Sequence, residues 1–329
     1  MNVRRLIPTT ALAGATALGL VTLSACSGAS SAGGDRSDGK LDVVASFYPM
    51  QYLAEEIGSD HVEVTTLTKP GVEPHDLELK PRQVSELRQA DYVLYLKGVQ
   101  PAVDEAIAQS GVEHTVDATT LTELEDHGTE VGHDHGHEGE EHGDEEPAGE
   151  EHGAGAGADP HVWLDPVKYA EVAEGVGDSL AKADPAHAAD YRKNTETLVG
   201  KLKALDAKFT DGLRNSTTRT FITTHSAFGY LAERYGLDQH GIAGLDPESE
   251  PSPARIRELQ SVAKQEKVST VFFETLASDR TAKTLAKDSG LRTDVLDPLE
   301  GITDRSKGDD YLSVMESNLA ALQQALGAK

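Results

Sequence analysis

The chain is predicted to be an α/β protein of two lobes, each a central parallel-type sheet flanked by helices, joined by one long rigid helix. Three observations predict it. Apolar strand-like runs alternate with amphipathic segments in the first half of the body, the same alternation recurs in the second half, and a long helical periodicity lies between them. In the first half, Leu41-Asp42-Val43-Val44-Ala45-Ser46-Phe47 and His61-Val62-Glu63-Val64-Thr65-Thr66-Leu67 read as strands with a helix over 49–57 between them. A second helix over 81–89 leads into the apolar strand Asp91-Tyr92-Val93-Leu94-Tyr95-Leu96. Strand-helix-strand units of this kind build sheets covered on both faces, and their ligand sites gather at the carboxyl ends of the strands.

The connecting helix is predicted over 185–213, where Tyr191, Leu198, Leu202, Leu205 and Phe209 recur at spacings of three, four or seven. Pro185 suits a first helical turn and Asp184 a cap. At 1.5 Å per residue such a helix is roughly 40 Å long, enough to stiffen the join between two lobes. Beyond it, Phe221-Ile222-Thr223-Thr224, Thr270-Val271-Phe272-Phe273-Glu274 and Arg292-Thr293-Asp294-Val295-Leu296 are the strands of the second lobe, with helices over 226–235, 253–264 and 279–289.

Ahead of this body stands an export signal. Arg4 and Arg5 form a charged start, residues 6–20 an apolar stretch too short and broken for a confident membrane span, and Leu23-Ser24-Ala25 supplies small residues before Cys26. Leu-Ser-Ala-Cys resembles the lipobox of bacterial lipoproteins, which implies lipidation at Cys26 and an anchor on the outer face of the cytoplasmic membrane. The organisation expected is a signal peptide over 1–25, a lipidated flexible tether over 26–40, a first lobe over 41–165, helices including the long connector over 166–214 and a second lobe over 215–329. Cys26 is the only cysteine, so disulfides contribute nothing to the body. The net charge of −26 argues against nucleic acid as a partner, although half of it lies in residues 123–151, which hold 13 acids and no Lys or Arg.

That acidic run belongs to an insertion over 123–158 that also carries His127, His133, His135, His137, His142 and His152. Without apolar periodicity and rich in Gly, it is expected to be solvated and to collect a divalent transition metal, since imidazole suits zinc, copper and nickel near neutral pH. Three further histidines stand in loops where strands end. His75 lies in Gly71-Val72-Glu73-Pro74-His75-Asp76-Leu77-Glu78, His161 follows Asp159-Pro160, and His225 comes directly off Phe221-Ile222-Thr223-Thr224. Together they supply three neutral nitrogen donors, and an oxygen donor would complete a tetrahedral zinc site.

Five ordered motifs now carry a resemblance across nearly the whole body. Gly-Val-Glu-Pro-His-Asp-Leu-Glu, Asp-Pro-His-Val-Trp-Leu-Asp-Pro, Thr-His-Ser-Ala-Phe-Gly-Tyr-Leu, Glu250-Pro251-Ser252-Pro253 and Leu296-Asp297-Pro298-Leu299-Glu300 resemble the zinc- and manganese-binding solute-binding proteins of ABC importers, with the ZnuA-like zinc branch nearest. The resemblance implies a metal cleft between the lobes, ligands at His75, His161 and His225, a Zn2+ cargo in preference to Mn2+, and partners in an ABC permease and its ATPase. It also implies a monomer that binds and delivers, with no enzymatic step. For the fourth ligand, Glu300 leads, with Asp297, Glu274 and water as the competitors. Asp165 and Asp76 are read either as acceptors for a ligating imidazole or as helix caps, and Trp163 as a support packed beneath the His161 loop. Two rival readings stand beside the importer. A zinc hydrolase finds neither a His-Glu-x-x-His helix nor a Gly-x-Ser-x-Gly elbow, while an adhesin or zinc-buffering lipoprotein would use the same fold.

Overall fold

The computed structural model of the protein describes residues 39–127 and 158–328. Its first lobe runs β1 (Leu41–Ala45), α1 (Tyr48–Gly58), β2 (Val62–Thr66), α2 (Pro81–Gln89), β3 (Tyr92–Tyr95), α3 (Pro101–Ala108) and β4 (His114–Asp117). Two helices follow, α4 (Pro166–Ala183) and α5 (Ala188–Leu213). The second lobe runs β5 (Thr220–Thr223), α6 (Gly229–Tyr235), β6 (Asp238–Gly241), α7 (Pro253–Gln265), β7 (Thr270–Phe273), α8 (Arg280–Ser289) and β8 (Arg292–Val295), and α9 (Tyr311–Leu326) closes the described chain. The sheets have matching orders, β2-β1-β3-β4 and β6-β5-β7-β8, with every neighbouring pair parallel.

Alternation along the strands explains why both faces are covered. Val43 and Ala45 of β1 point into the large core shared with α1, α4 and α5, while Val44 joins Leu67, Leu87, Val93, Val103 and Ile107 on the opposite face. In the second sheet Phe221 and Phe272 enter the large core, and Ile222 and Val271 pack with Leu259, Ala282 and Leu285 on the other side. One continuous core therefore runs through both lobes. Buried tyrosines tie them: Tyr169 of α4 donates to the carbonyl of Pro49 at 2.6 Å, Tyr311 of α9 donates to that of Trp163 at 2.6 Å, and the Tyr311 ring stacks on Tyr52 of α1 with centroids 5.4 Å apart.

The connecting helix differs from expectation at its start. α4 ends at Ala183, Pro185 lies in the turn, and α5 begins only at Ala188. Asp184, expected to cap α5, closes α4, because its carboxylate accepts from His187 Nδ1 at 2.6 Å and from Tyr191 Oη at 2.8 Å and so folds the turn back. The remaining 26 residues of α5 still reach about 39 Å. Near its start Asn194 donates to the carbonyl of Ile57 at 3.0 Å, and near its end Gly212 accepts from Gln323 of α9 at 3.1 Å, so one helix braces both lobes.

The close antiparallel pair α4 and α5 depends on Gly177. A Cβ there would lie 2.1 Å from Thr195 Oγ1 and 3.0 Å from Thr195 Cβ, and that hydroxyl is already bonded to the carbonyl of Tyr191. Gly177→Ala is expected to lower stability by about 1–3 kcal/mol despite its better helix propensity, and Thr195→Ala to restore most of the loss. Urea unfolding of the two single variants and the double checks this, and additive effects would contradict it.

Candidate metal centre

Four side chains predicted from separate stretches of sequence meet at the carboxyl ends of the strands. His75 sits in the loop after β2, where the carboxylate of Glu73 accepts from the backbone N–H of His75 at 3.1 Å and of Asp76 at 3.2 Å and so shapes the turn. His161 precedes a short turn of 3-10 helix, Val162–Leu164, that leads into α4. His225 lies two residues past β5, its carbonyl held by Thr223 Oγ1 at 2.6 Å and by Gln239 Nε2 at 3.1 Å. Glu300 follows β8 on a loop where Leu299 takes a left-handed backbone, φ 60. That costly conformation for a branched residue is held by Asp297, whose Oδ1 accepts the Leu299 N–H at 2.9 Å, and by Asn318, which bonds both the N–H and the carbonyl of Asp297.

All three imidazoles direct Nε2 at one oxygen, Glu300 Oε1, at 3.4 Å from His75, 3.5 Å from His161 and 3.3 Å from His225. Ligands placed about 2.0–2.1 Å from a tetrahedral zinc stand about 3.3–3.4 Å apart, so these three edges already have the length that such an ion would impose. His161, His225 and Glu300 are buried, whereas His75 keeps an 11% exposed side chain. His161 Nε2, His225 Nε2 and Glu300 Oε2 are buried without hydrogen-bond partners among the described residues. Donors left in that condition cost free energy unless a ligand satisfies them, and three nitrogens with one carboxylate suit zinc better than the harder manganese.

Carboxylates behind two of the imidazoles orient them. Asp159 Oδ1 accepts from His161 Nδ1 at 2.7 Å and from its backbone N–H at 2.9 Å, and Glu274 Oε1 accepts from His225 Nδ1 at 2.8 Å and from Thr224 Oγ1. With one proton held on Nδ1, Nε2 is the nitrogen left to face a metal. Burial alone would lower the pKa of both imidazoles, but Asp159 raises that of His161, and Glu274 with Glu300 holds that of His225 well above the ordinary value. Burial would likewise raise the carboxyl pKa of Glu300, yet the imidazoles of His161, His225 and His75, gathered around its Oε1, keep it well below the carboxylate range. Glu300 therefore stays a carboxylate, and an incoming cation competes with protons for the two buried imidazoles.

Other sequence expectations resolve differently. Glu274 orients His225, and Asp297 shapes the Glu300 turn, bonding Thr275 Oγ1 at 3.3 Å with its second oxygen. Asp165 proves to be a helix cap, accepting from the Val167 N–H at 2.8 Å and pairing with Arg234 at 2.5 Å. Asp76 is exposed, and its backbone rather than its carboxylate takes part in the His75 turn. Asp159 had no role assigned from sequence, although a carboxylate two residues before a histidine was the available signal. Trp163 packs where expected, its ring 5.1 Å from that of His161 and its Nε1 donating to the carbonyl of Pro298 at 2.7 Å, which ties the His161 loop to the Glu300 loop. Of the insertion histidines, His127 lies outside the cleft beside Glu125 and Glu233. Cys26, His133, His135, His137, His142 and His152 lie outside the described residues.

Two matching parallel-sheet lobes braced by one helix, with a convergent His3Glu cluster at their strand ends, define a bilobed metal-binding protein of the solute-receptor kind. The comparisons place it further. The family model described as the periplasmic component A of zinc-uptake complexes, ZnuA, matches residues 43–325, and the chain belongs to that family. It is 38% identical over 297 residues to the zinc-binding lipoprotein AdcA of Streptococcus pneumoniae, covering 88% of this chain and 56% of that relative, so it spans little more than half the relative's length. It is 35% identical over 314 residues to the high-affinity zinc uptake system protein ZnuA of Bacillus subtilis, covering 93% and 94%. The Zn(II)-bound ZnuA-like domain of Streptococcus pneumoniae AdcA superimposes with a TM-score of 0.70 at 34% identity, covering 88% of this chain and 99% of that domain.

Proposed function

We propose that the protein captures Zn2+ outside the cytoplasmic membrane and delivers it to an ABC permease driven by a separate ATPase, with His75, His161, His225 and Glu300 as the ligands. The observation that carries this reading is the convergence of three Nε2 atoms on Glu300 Oε1 at the spacing of a tetrahedral ion. His75, at the exposed edge, receives the ion first; His161 and His225, held from behind by Asp159 and Glu274, close the coordination without rearranging. α5 limits the relative motion of the lobes, so release follows a local change at the cleft mouth on docking. Lipidation at Cys26 keeps the receptor beside its permease, and among the described residues no helix is long and apolar enough to cross a membrane. The insertion serves as a weak collector. Capture and release require no bond chemistry, and the role is not enzymatic.

Growth on chelator-depleted medium tests the transport role. A strain lacking the gene should fail to grow, recover with added zinc or with the intact gene, and not recover with a His225→Ala copy; recovery with that copy would refute the proposal. Competition titration of zinc against manganese tests the cargo, with zinc expected to displace manganese fully.

Protons are expected to leave as zinc enters. The raised imidazole pKa of His161 and His225 keeps protons on the metal-free site into and above the ordinary imidazole range, so binding must expel them and affinity falls as pH falls through that range. Calorimetry at neutral pH in buffers of different ionisation enthalpy should report about one to two protons released per zinc. A buffer-independent enthalpy would contradict the assignment of buried, carboxylate-supported histidines. Glu274→Gln, which weakens the acceptor behind His225, is expected to reduce zinc affinity about 10- to 100-fold with little change in fold, as read by chelator competition.

A further inference from the structure

Asp159 faces two imidazoles. Its Oδ1 holds His161 Nδ1 at 2.7 Å, and its Oδ2, buried and without a hydrogen bond of its own, faces His127 Nδ1 at 3.4 Å. His127 thus repeats the arrangement of the cleft histidines, a carboxylate behind Nδ1 and Nε2 turned toward acids: Glu233 Oε2 at 2.5 Å and Glu125 Oε2 at 3.6 Å. We propose that Glu125, His127 and Glu233 form a second, outer site for a divalent transition metal, separated from the cleft by the single side chain of Asp159.

The place is built to hold these groups. Gly229 opens α6 beneath them, and a Cβ there would lie 2.2 Å from His127 Cβ and 2.8 Å from Asp159 Oδ2, so only glycine lets the imidazole settle against the helix. Tyr230 packs edge-on to the His127 ring with centroids 4.4 Å apart, and its hydroxyl bonds the Glu125 N–H at 2.7 Å and the Asp159 carbonyl at 2.8 Å. The Glu125 carbonyl in turn accepts the Asp159 N–H at 2.9 Å, so the chain entering the insertion is pinned to the chain leaving it. One imidazole and two carboxylates, with water as a fourth ligand, fit zinc coordination. Glu233 bonds His127 directly, and an ion would displace that contact. Lys168 holds Glu125 Oε1 at 2.7 Å and leaves Oε2 facing His127, while its charge keeps the outer site weaker than the cleft. With side-chain exposures of 36% for Glu125, 15% for His127 and 62% for Glu233, the site can load and unload directly from solvent.

The test uses the full chain with His133, His135, His137, His142 and His152 changed to Gln, so that these histidines cannot bind. Calorimetry with zinc chloride should give two equivalents, one tight and one weaker. His127→Ala, and separately Glu233→Gln, which changes an exposed side chain and leaves the fold intact, should each abolish the weaker equivalent and retain the tight one. A single equivalent in the parent, or a weaker step that survives both substitutions, would overturn the outer site. In a His75→Ala/His161→Ala/His225→Ala variant the tight step should disappear while the weaker one stays. Persistence of the tight step there would count against the cleft ligands and leave the outer site standing.

Discussion

Replacing His75, His161 and His225 together with Ala is expected to weaken zinc binding by at least about 1,000-fold. A four-ligand protein zinc site is worth on the order of 10–16 kcal/mol near neutral pH, and the triple exchange leaves one carboxylate of the four donors. The same exchange strands Glu300, whose charge is held in a fully buried position by those three surrounding imidazoles. Removing the partners of a buried charge typically costs about 3–5 kcal/mol, so the triple variant should also unfold earlier than the parent without metal. Adding Glu300→Gln separates the two effects: the quadruple variant should recover stability while still failing to bind. Calorimetry and thermal unfolding on the parent, the triple and the quadruple variant decide it, and high-affinity zinc in the triple variant would remove the cleft from consideration.

Trp163→Ala is expected to destabilise the protein by about 3–5 kcal/mol, the range for deleting a fully buried aromatic side chain. The ring lies edge-on to Phe47 at 5.1 Å, touches His161 and donates its only N–H to Pro298, so its loss frees both the first lobe and the Glu300 loop. Zinc affinity should fall as well, because Glu300 is then no longer registered against His161. Trp163→Phe divides packing from hydrogen bonding. It keeps most of the apolar contact but leaves the Pro298 carbonyl without its donor, at a cost of about 1–3 kcal/mol. Urea unfolding with and without zinc measures both quantities, and a Trp163→Phe protein as stable and as tight-binding as the parent would mean that the Pro298 bond does not position the loop.

Elements with a strong internal pattern were legible from sequence to within a few residues. β1, β2, β3 and β5 are apolar or alternating, and α2, α7 and α8 begin at or just after a proline or an acid that announces a first turn. β4 and β6, reading HTVD and DQHG, were not foreseen, because an edge strand needs only one paired side and carries little apolar signal. α9 was also passed over, although Tyr311, Val314, Met315, Leu319, Leu322 and Leu326 are buried at helical spacing. The turn between α4 and α5 went unread for another reason: Asp184 binds His187 and Tyr191, and a side chain that reaches forward to close a loop looks, in sequence, like a cap.

At the site, the ordered motifs nominated His75, His161, His225 and Glu300 through their family resemblance, since each histidine read alone is an ordinary loop residue. Which acids support rather than bind was not readable. Glu274, Asp297, Asp165 and Asp159 are alike as sequence symbols, and each acquires its task from a partner 2 to 69 positions away: His225, Leu299, Arg234 and His161. Chemistry is a property of the side chain and can be read in order along the chain. Distance and direction arise only when two sheets, a brace of helices and a buried tryptophan bring remote carboxylates to one side of an imidazole and leave the other side facing the cleft.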